Sequence, residues 1–213
     1  VGGGEPVPSP PDPALPFVDD FTSTEFTSAA WSARKGAGFT TPLNPDTDPV
    51  DELVSYGDGK LRLSGSHAAE WTSMIVSDER LADSEVKDFV IETRMAFTKE
   101  AGPSDDKVGV VLRTGFSERI MFIYRWRSFA TFASSESPQE VSLTVPEGFT
   151  AARREMVDVR IEVRGGAEGS QADSYINGQY AGTRHFSVLD GPAHVGLFVH
   201  FADAEFEYFR VSE

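Results

Sequence analysis

Cysteine is absent from the 213 residues of this chain. Disulfide bonds, zinc sites built on thiolates and thiol nucleophiles are therefore excluded. Long hydrophobic runs are absent too, because no apolar stretch approaches the roughly 18–20 residues that cross a membrane. No signal peptide is recognised, and the Gly- and Pro-rich opening suggests a chain from which such a segment has already been trimmed. The sequence predicts a protein that does not insert into a membrane.

Positive charge is scarce. Lys and Arg number 19 against 34 Asp and Glu, which gives a net charge of −15 at neutral pH. Such a surface repels a phosphate backbone and an anionic membrane, so nucleic acid is not expected as a partner. The acidity suits a soluble extracellular protein or a protein of a high-salt environment, and carboxylates in loops are possible ligands for calcium.

Helical periodicity is also missing, and short β-rich segments separated by turn residues take its place. The chain is rich in large aromatic residues, with 16 Phe, 5 Tyr and 3 Trp. About a dozen segments with β-branched and aromatic residues predict an all-β, two-sheet antiparallel β-sandwich. The predicted strands include residues 53–56, 60–63, 73–77, 88–97, 107–113, 119–126, 129–133, 141–145, 156–164, 173–177 and 194–201.

The two ends of the predicted domain are expected to meet. Residues 17–21 and 204–211 both have the composition of strands, and we expect them to be neighbours that close one sandwich over residues 17–213. Residues 1–16 are rich in Gly and Pro and predict either a linker that tethers the domain to other modules or a disordered N-terminus. Residues 22–49 have no regular period and predict a loop.

Alternation shows which side of a strand is buried. In residues 157–163 the odd positions are apolar, whereas Asp158, Arg160 and Glu162 alternate with them. The three charged side chains are expected to form ion pairs on a solvent-exposed face and to take no part in catalysis. A hairpin is predicted at Asn177 and Gly178.

Five segments together resemble a known family. Residues 17–21, 57–63, 73–77, 88–95 and 207–211 look like successive strands of the concanavalin A-like lectin and glucanase jelly rolls. Within that superfamily the order is similar both to β-glucanases of glycoside hydrolase family 16 and to non-catalytic modules appended to other glycosidases. The resemblance implies a jelly-roll fold and a carbohydrate partner.

The chain departs from the glucanases at the catalytic motif. Those enzymes carry Glu-x-Asp-x-(x)-Glu on one strand, which aims two carboxylates at one sugar about 5–5.5 Å apart. No such string occurs here. A lyase built from Tyr124, His200 and Arg113 stays an alternative, although nothing in their spacing requires it.

A sugar-binding face needs no spaced acid–base pair. Aromatic rings stack on sugar C–H surfaces, while Arg and His donate hydrogen bonds to hydroxyl groups. Tyr124 and Trp126 are expected to share one strand face. The full set of candidate ligand-binding residues is Tyr124, Trp126, Arg113, Trp71, Tyr175 and His200.

The resemblance also implies a structural calcium ion. In the glucanases that the chain resembles, the ion binds two backbone carbonyls and an acid of the last strand. The matching positions are Asp20 or its neighbour Asp19, Gly59, and Glu207, where the family has Asp. The longer Glu side chain is the departure that bears on this site.

The sequence thus predicts a non-catalytic module of a secreted or cell-surface protein that binds a polysaccharide or oligosaccharide. Two alternatives remain open. One is a polysaccharide-degrading lyase or hydrolase of the same fold, and the other is a structural or adhesion domain that binds protein.

Overall fold

The computed structural model describes residues 15–65, 71–78, 81, 84, 86–100, 106–115, 118–125, 127–134, 137–149, 155–187 and 189–213. Within these residues the chain forms two eight-stranded antiparallel sheets that pack face to face. The predicted all-β sandwich is therefore confirmed. None of the described helices is long and apolar enough to cross a membrane.

Sheet A contains both ends of the domain. Its hydrogen-bonded order is β14-β13-β12-β7-β16-β5-β4, and β1 also pairs with β16. Its strands are β1 (Phe17–Asp19), β4 (Val54–Gly57), β5 (Lys60–Ser64), β7 (Phe89–Glu100), β12 (Val157–Gly166), β13 (Gly169–Ile176), β14 (Gln179–Phe186) and β16 (Ala202–Ser212).

Sheet B covers the other side of the core and has the order β11-β10-β9-β8-β15-β6-β2-β3. Its strands are β2 (Trp31–Lys35), β3 (Thr41–Pro42), β6 (Trp71–Val76), β8 (Lys107–Arg113), β9 (Ile120–Arg125), β10 (Ser128–Ala133), β11 (Ser137–Leu143) and β15 (Gly196–His200).

The prediction of a loop over residues 22–49 is wrong in part. This segment holds the helix α1 (Thr24–Ala30) and the strands β2 and β3, and the short helix α2 (Val50–Leu53) follows it. Ser23 caps α1 by accepting a hydrogen bond from the Phe26 backbone N–H at 3.2 Å. A helix of seven residues is too short to show a periodic pattern in sequence.

The predicted pairing of the first strand with the last is confirmed. Phe17 lies opposite Val211 and Asp19 opposite Phe209 in antiparallel register. The Asp19 carboxylate is buried and accepts hydrogen bonds from the Thr27 hydroxyl and the Trp31 indole N–H, both at 2.8 Å. This carboxylate therefore ties β1 to α1 and β2.

The outer face of sheet A carries the predicted ion pairs. Arg160 contacts Glu92 at 2.9 Å and Glu162 at 3.0 Å, whereas the apolar residues of β12 are buried between the sheets. Asn177 and Gly178 both have positive φ in the turn that joins β13 to β14, as a type I′ hairpin requires.

Candidate functional site

The outer face of sheet B carries an apolar cluster of its own. On β6, β8, β9, β10 and β15, alternate side chains point away from the inter-sheet core and pack together. We call this surface the outer face. Its buried floor consists of Ile75, Val111, Met121, Ile123, Ala130 and Phe198.

Phe39 covers the middle of the outer face. It is fully buried, and its ring lies 5.3 Å from Phe198 and 5.6 Å from Trp71 between centroids. The surrounding segment is held in place by hydrogen bonds, because Arg119 donates to the Ala37 carbonyl and the Gly115 N–H donates to the Gly38 carbonyl. The sheet is therefore not an open apolar groove at this point.

Trp71 is surrounded on the outer face. His200 stacks on its ring with centroids 3.8 Å apart, and Phe198 lies at 5.8 Å. Two cations also lie over the indole, with Arg119 Cζ at 5.2 Å and Lys107 Nζ at 5.5 Å from the ring centroid. The indole is therefore part of a packed assembly of aromatic and cationic side chains.

Two cations share one carboxylate at the end of the face nearest His200. Lys107 Nζ lies 3.2 Å from Glu140, and Arg125 forms a second ion pair with the same Glu140 carboxylate. Lys107 is directly opposite His200 in the sheet. This cluster therefore places one excess positive charge beside the Trp71–His200 stack.

A second cationic cluster lies at the opposite end. Arg113 is on the outer face and pairs with the exposed carboxylate of Glu118 at 3.0 Å. Arg34 reaches along β2 and donates to the Phe39 carbonyl at 3.4 Å. Partial desolvation, together with the positive charges of Arg113 and Arg34, lowers the pKa of His194 below its ordinary value.

Three of the predicted ligand-binding residues lie on the outer face, and two of them are in contact. Trp71 and His200 are stacked, whereas Arg113 ends β8 six residues beyond Lys107. At about 3.3 Å per residue that distance is ~20 Å. Arg113 therefore belongs to the second cluster and not to the Trp71–His200 stack.

The prediction for Tyr124 is wrong. Its side chain points between the sheets, is 2% exposed and packs on Phe97 and Phe129 with ring centroids 4.8 Å away in each case. Side chains alternate along β9 as expected, but Met121 and Ile123 face outward and Tyr124 faces the core. The lyase trio of Tyr124, His200 and Arg113 is therefore not assembled.

Tyr175 lies on the other sheet. It is on β13 of sheet A, where it contacts Tyr180 edge-to-face at 5.7 Å between centroids. It does not share a surface with Trp71, because sheet B faces away from it across the core. Trp126, the remaining predicted aromatic, is outside the described residues.

The residues of the predicted calcium site come together near the middle of β16, between its pairing with β1 and its pairing with β5. β16 pairs with both β1 and β5, and the Asp20 carbonyl oxygen lies 3.9 Å from where a Cβ on Gly59 would be. The Glu207 carboxylate accepts a hydrogen bond from Arg94 at 3.3 Å. In the described part of the chain no three His, Asp or Glu side chains form a metal-binding group, so this site would depend on two carbonyls and one carboxylate.

The sequence interpretation missed several side chains of the outer face. Phe39 lies in the segment that was predicted to be a loop, and Glu140 precedes the predicted strand over residues 141–145. Lys107 could have been predicted, because it begins a predicted strand and lies on the opposite side of that strand from Val108 and Val110, which are buried in the core. Arg119 was indicated by alternation, because it begins the predicted strand over residues 119–126 and falls on the same side as Met121 and Ile123, although it precedes β9 by one residue.

Solved structures with the same fold are similar to this chain over nearly its whole length. A β-1,3-1,4-glucanase (lichenase) from a mouse hindgut metagenome is 11% identical, with a TM-score of 0.62, and 92% of this chain and 98% of that chain are covered. A Bacillus licheniformis β-glucanase is 12% identical, with a TM-score of 0.60, and 93% and 98% are covered. The carbohydrate recognition domain of Emp46p is 9% identical, with a TM-score of 0.59, and 90% and 92% are covered.

No protein-family model matches the sequence. A search among curated proteins likewise found no match. At these identities the likeness to solved structures establishes the fold and leaves the function to the chemistry of the site.

Proposed function

From the concanavalin A-like jelly-roll fold that this chain has, we propose that it is a carbohydrate-binding module without catalytic activity, part of a secreted or cell-surface protein. The ligand is a polysaccharide or oligosaccharide, and the binding surface is the outer face of sheet B. Residues 1–16 tether the domain to other modules. The fold is shared with two β-glucanases and a carbohydrate recognition domain, which supports a carbohydrate as the partner.

The observation that carries the proposal is the chemistry of the outer face. Arg, Lys, His and Glu side chains stand on a rigid apolar floor, and both ends of the face present hydrogen-bond donors suited to sugar hydroxyl or acid groups. A site of fixed donors on a packed sheet binds a ligand with little loss of side-chain entropy.

The position of the carboxylates argues against glycoside hydrolysis. Among the described residues, Glu118 and Glu140 are the carboxylates paired with cations of this face, and they contact opposite ends of β8. The Cα atoms of those ends are ~20 Å apart. Glycosidases need two carboxyl groups about 5–9.5 Å apart across one sugar.

Affinity electrophoresis across a panel of neutral and acidic polysaccharides tests the proposal, combined with assays for reducing sugars and unsaturated products. Wild type is compared with Arg125→Gln at the Lys107 end of β9, with Trp126→Ala, and with Tyr180→Ala on sheet A as the control. Tyr180 is 57% exposed and lies on the opposite sheet, so its loss should leave the fold intact.

Retardation of the wild type without product, weakened in Arg125→Gln and kept in Tyr180→Ala, would support the proposal. Product release would contradict it in favour of an enzyme. Retardation lost only in Tyr180→Ala would move the binding surface to sheet A. No retardation by any polymer would favour a structural or protein-binding domain.

A further inference from the structure

The outer face is cationic although the chain is strongly acidic. The whole sequence has a net charge of −15. In the described part of the outer face, five basic side chains meet two carboxylates, Glu118 and Glu140, which is an excess of three positive charges. The basic residues are Arg34, Lys107, Arg113, Arg119 and Arg125.

Two of these arginines have no carboxylate partner among the described residues. Arg34 donates to the Phe39 carbonyl and to the Ser32 hydroxyl, both at 3.4 Å, which are long contacts for a charged donor. Arg119 donates to the Ala37 carbonyl, and its Nε is buried without a hydrogen-bond partner. Burial lowers the pKa of both guanidinium groups.

A partly buried guanidinium without a counter-ion is costly, because it loses hydration and regains little. An anion supplied by a ligand would repay that cost with charge-assisted hydrogen bonds. Desolvation, and after it the positive charges of Arg113 and Arg34, lower the pKa of His194, so both arginines act on the same end of the face.

The aromatic residues of the face do not offer the surface that a neutral sugar needs. Trp71 is contacted by His200, Phe198, Arg119 and Lys107, and Phe39 is fully buried. In the described part of the outer face, therefore, recognition depends on charge more than on stacking.

We infer that the ligand of the outer face is an anionic polysaccharide, and that its carboxylate or sulfate groups bind between Arg34, Arg113 and His194 and near Arg119. This inference rests on the proposed function and specifies the class of its ligand. Arginine suits this role because its planar guanidinium donates two parallel hydrogen bonds to either group.

The test is affinity electrophoresis and calorimetric titration with three polymers: a polyuronate, dextran sulfate, and dextran. Dextran is the uncharged control for dextran sulfate. The variants are Arg34→Gln, Arg34→Lys and Arg113→Gln, with Arg164→Gln as a matched control. Arg164 lies on the outer face of sheet A and has the same charge, so its substitution changes the net charge equally. Thermal unfolding verifies that each variant is folded.

We expect the wild type to bind at least one of the two anionic polymers and not dextran. Its affinity should fall as the salt concentration is raised, because salt screens charge–charge attraction. Arg34→Gln and Arg113→Gln should each weaken binding about tenfold, which corresponds to about 1.4 kcal/mol. Arg34→Lys should recover part of the loss, and Arg164→Gln should bind as wild type. The polyuronate and dextran sulfate arms distinguish carboxylate from sulfate recognition.

Binding of dextran or another neutral polymer alone would overturn this inference and leave the proposed carbohydrate-binding function standing. An equal loss in Arg164→Gln would also overturn it, because the effect would then come from net charge and not from the outer face. A failure of every polymer, charged and neutral, to bind would contradict the proposed function itself.

Discussion

The pKa of His194 depends on burial and on the charges at one end of the outer face. The charged groups around it are Arg113 on β8, Arg34 on β2, and Glu118, which pairs with Arg113. Desolvation and the two arginines lower its pKa below the ordinary value of about 6.5. The unfolded chain therefore binds more protons than the native state just below pH 6.5, so this histidine contributes stability that is lost as pH falls through its native pKa.

An NMR titration of the histidine ring protons should give His194 a pKa below about 6.5. Arg113→Gln should raise that pKa, because one repulsive charge is removed, whereas Arg164→Gln on the other sheet should not change it. A wild-type value at or above the ordinary one, or no response to Arg113→Gln, would contradict the assigned potential.

Asp19 stabilises the packing of β1 against α1 and β2. Its buried carboxylate accepts hydrogen bonds from the Phe21 N–H, the Thr27 hydroxyl and the Trp31 indole. Asp19→Ala should lower the free energy of unfolding by about 3 kcal/mol, because buried donors lose their acceptor. Denaturant titration measures the change.

The neighbouring Asp20→Ala is the matched control. The Asp20 carboxylate contacts only the exposed Thr22 among its described neighbours, so this change should cost less than about 1 kcal/mol. Equal losses for the two variants would show that Asp19 has no special structural role.

At the scale of the element, the segment that carries Phe39 decides the shape of the outer face. Phe39→Ala should lower the free energy of unfolding by about 3 kcal/mol, since it removes a buried ring from Phe198 and Trp71. Phe39→Leu should lose less than half of that amount because it keeps most of the apolar volume. If Phe39→Ala unfolds like the wild type, the ring does not stabilise this face.

The strands that could be predicted from sequence are those with clear alternation or a clear turn. β8 has the predicted bounds, residues 107–113. In β12 the alternating apolar residues from Val157 to Val163 are buried, as predicted. β2 could not be predicted, because only Trp31 of its five residues is buried and no alternation marks the strand. The short helix before it has no periodic pattern either.

The candidate site was only partly predictable for a different reason. Trp71, His200 and Arg113 were assigned to a binding surface by residue type, and the structure places all three on the outer face. Tyr124 failed because it was assigned by residue type, although alternation pointed the other way: Met121 and Ile123 share their side of β9 with Arg125, whereas Tyr124 alternates with them on the wholly apolar side. Glu140 was missed because the predicted strand over residues 141–145 starts after it, whereas β11 spans Ser137–Leu143.

Across the molecule as a whole, the first strand, the last strand and the β4–β5 hairpin meet in sheet A, where the predicted calcium site lies. We propose that calcium binds the carbonyls of Asp20 and Gly59 together with Glu207, which would first release Arg94. Saturating calcium should then raise the melting temperature by about 5–10 °C over chelator.

Glu207→Gln should abolish the calcium response. Glu205→Gln is the control, because Glu205 lies on the same strand but pairs with Lys60 and Arg62. Identical melting temperatures in calcium and in chelator would contradict the site.

The central claim is that the outer face of sheet B binds a carbohydrate without cleaving it. Its most direct test is an NMR titration of the isotopically labelled protein with oligosaccharides of a polymer that retards it, followed by analysis of the sugar. We expect shifts in the signals of Trp71, His194, His200 and the amides of β8 and β15, with the oligosaccharide recovered intact. Shifts confined to Tyr175 and Tyr180 on sheet A, or shortened oligosaccharides after the titration, would contradict it.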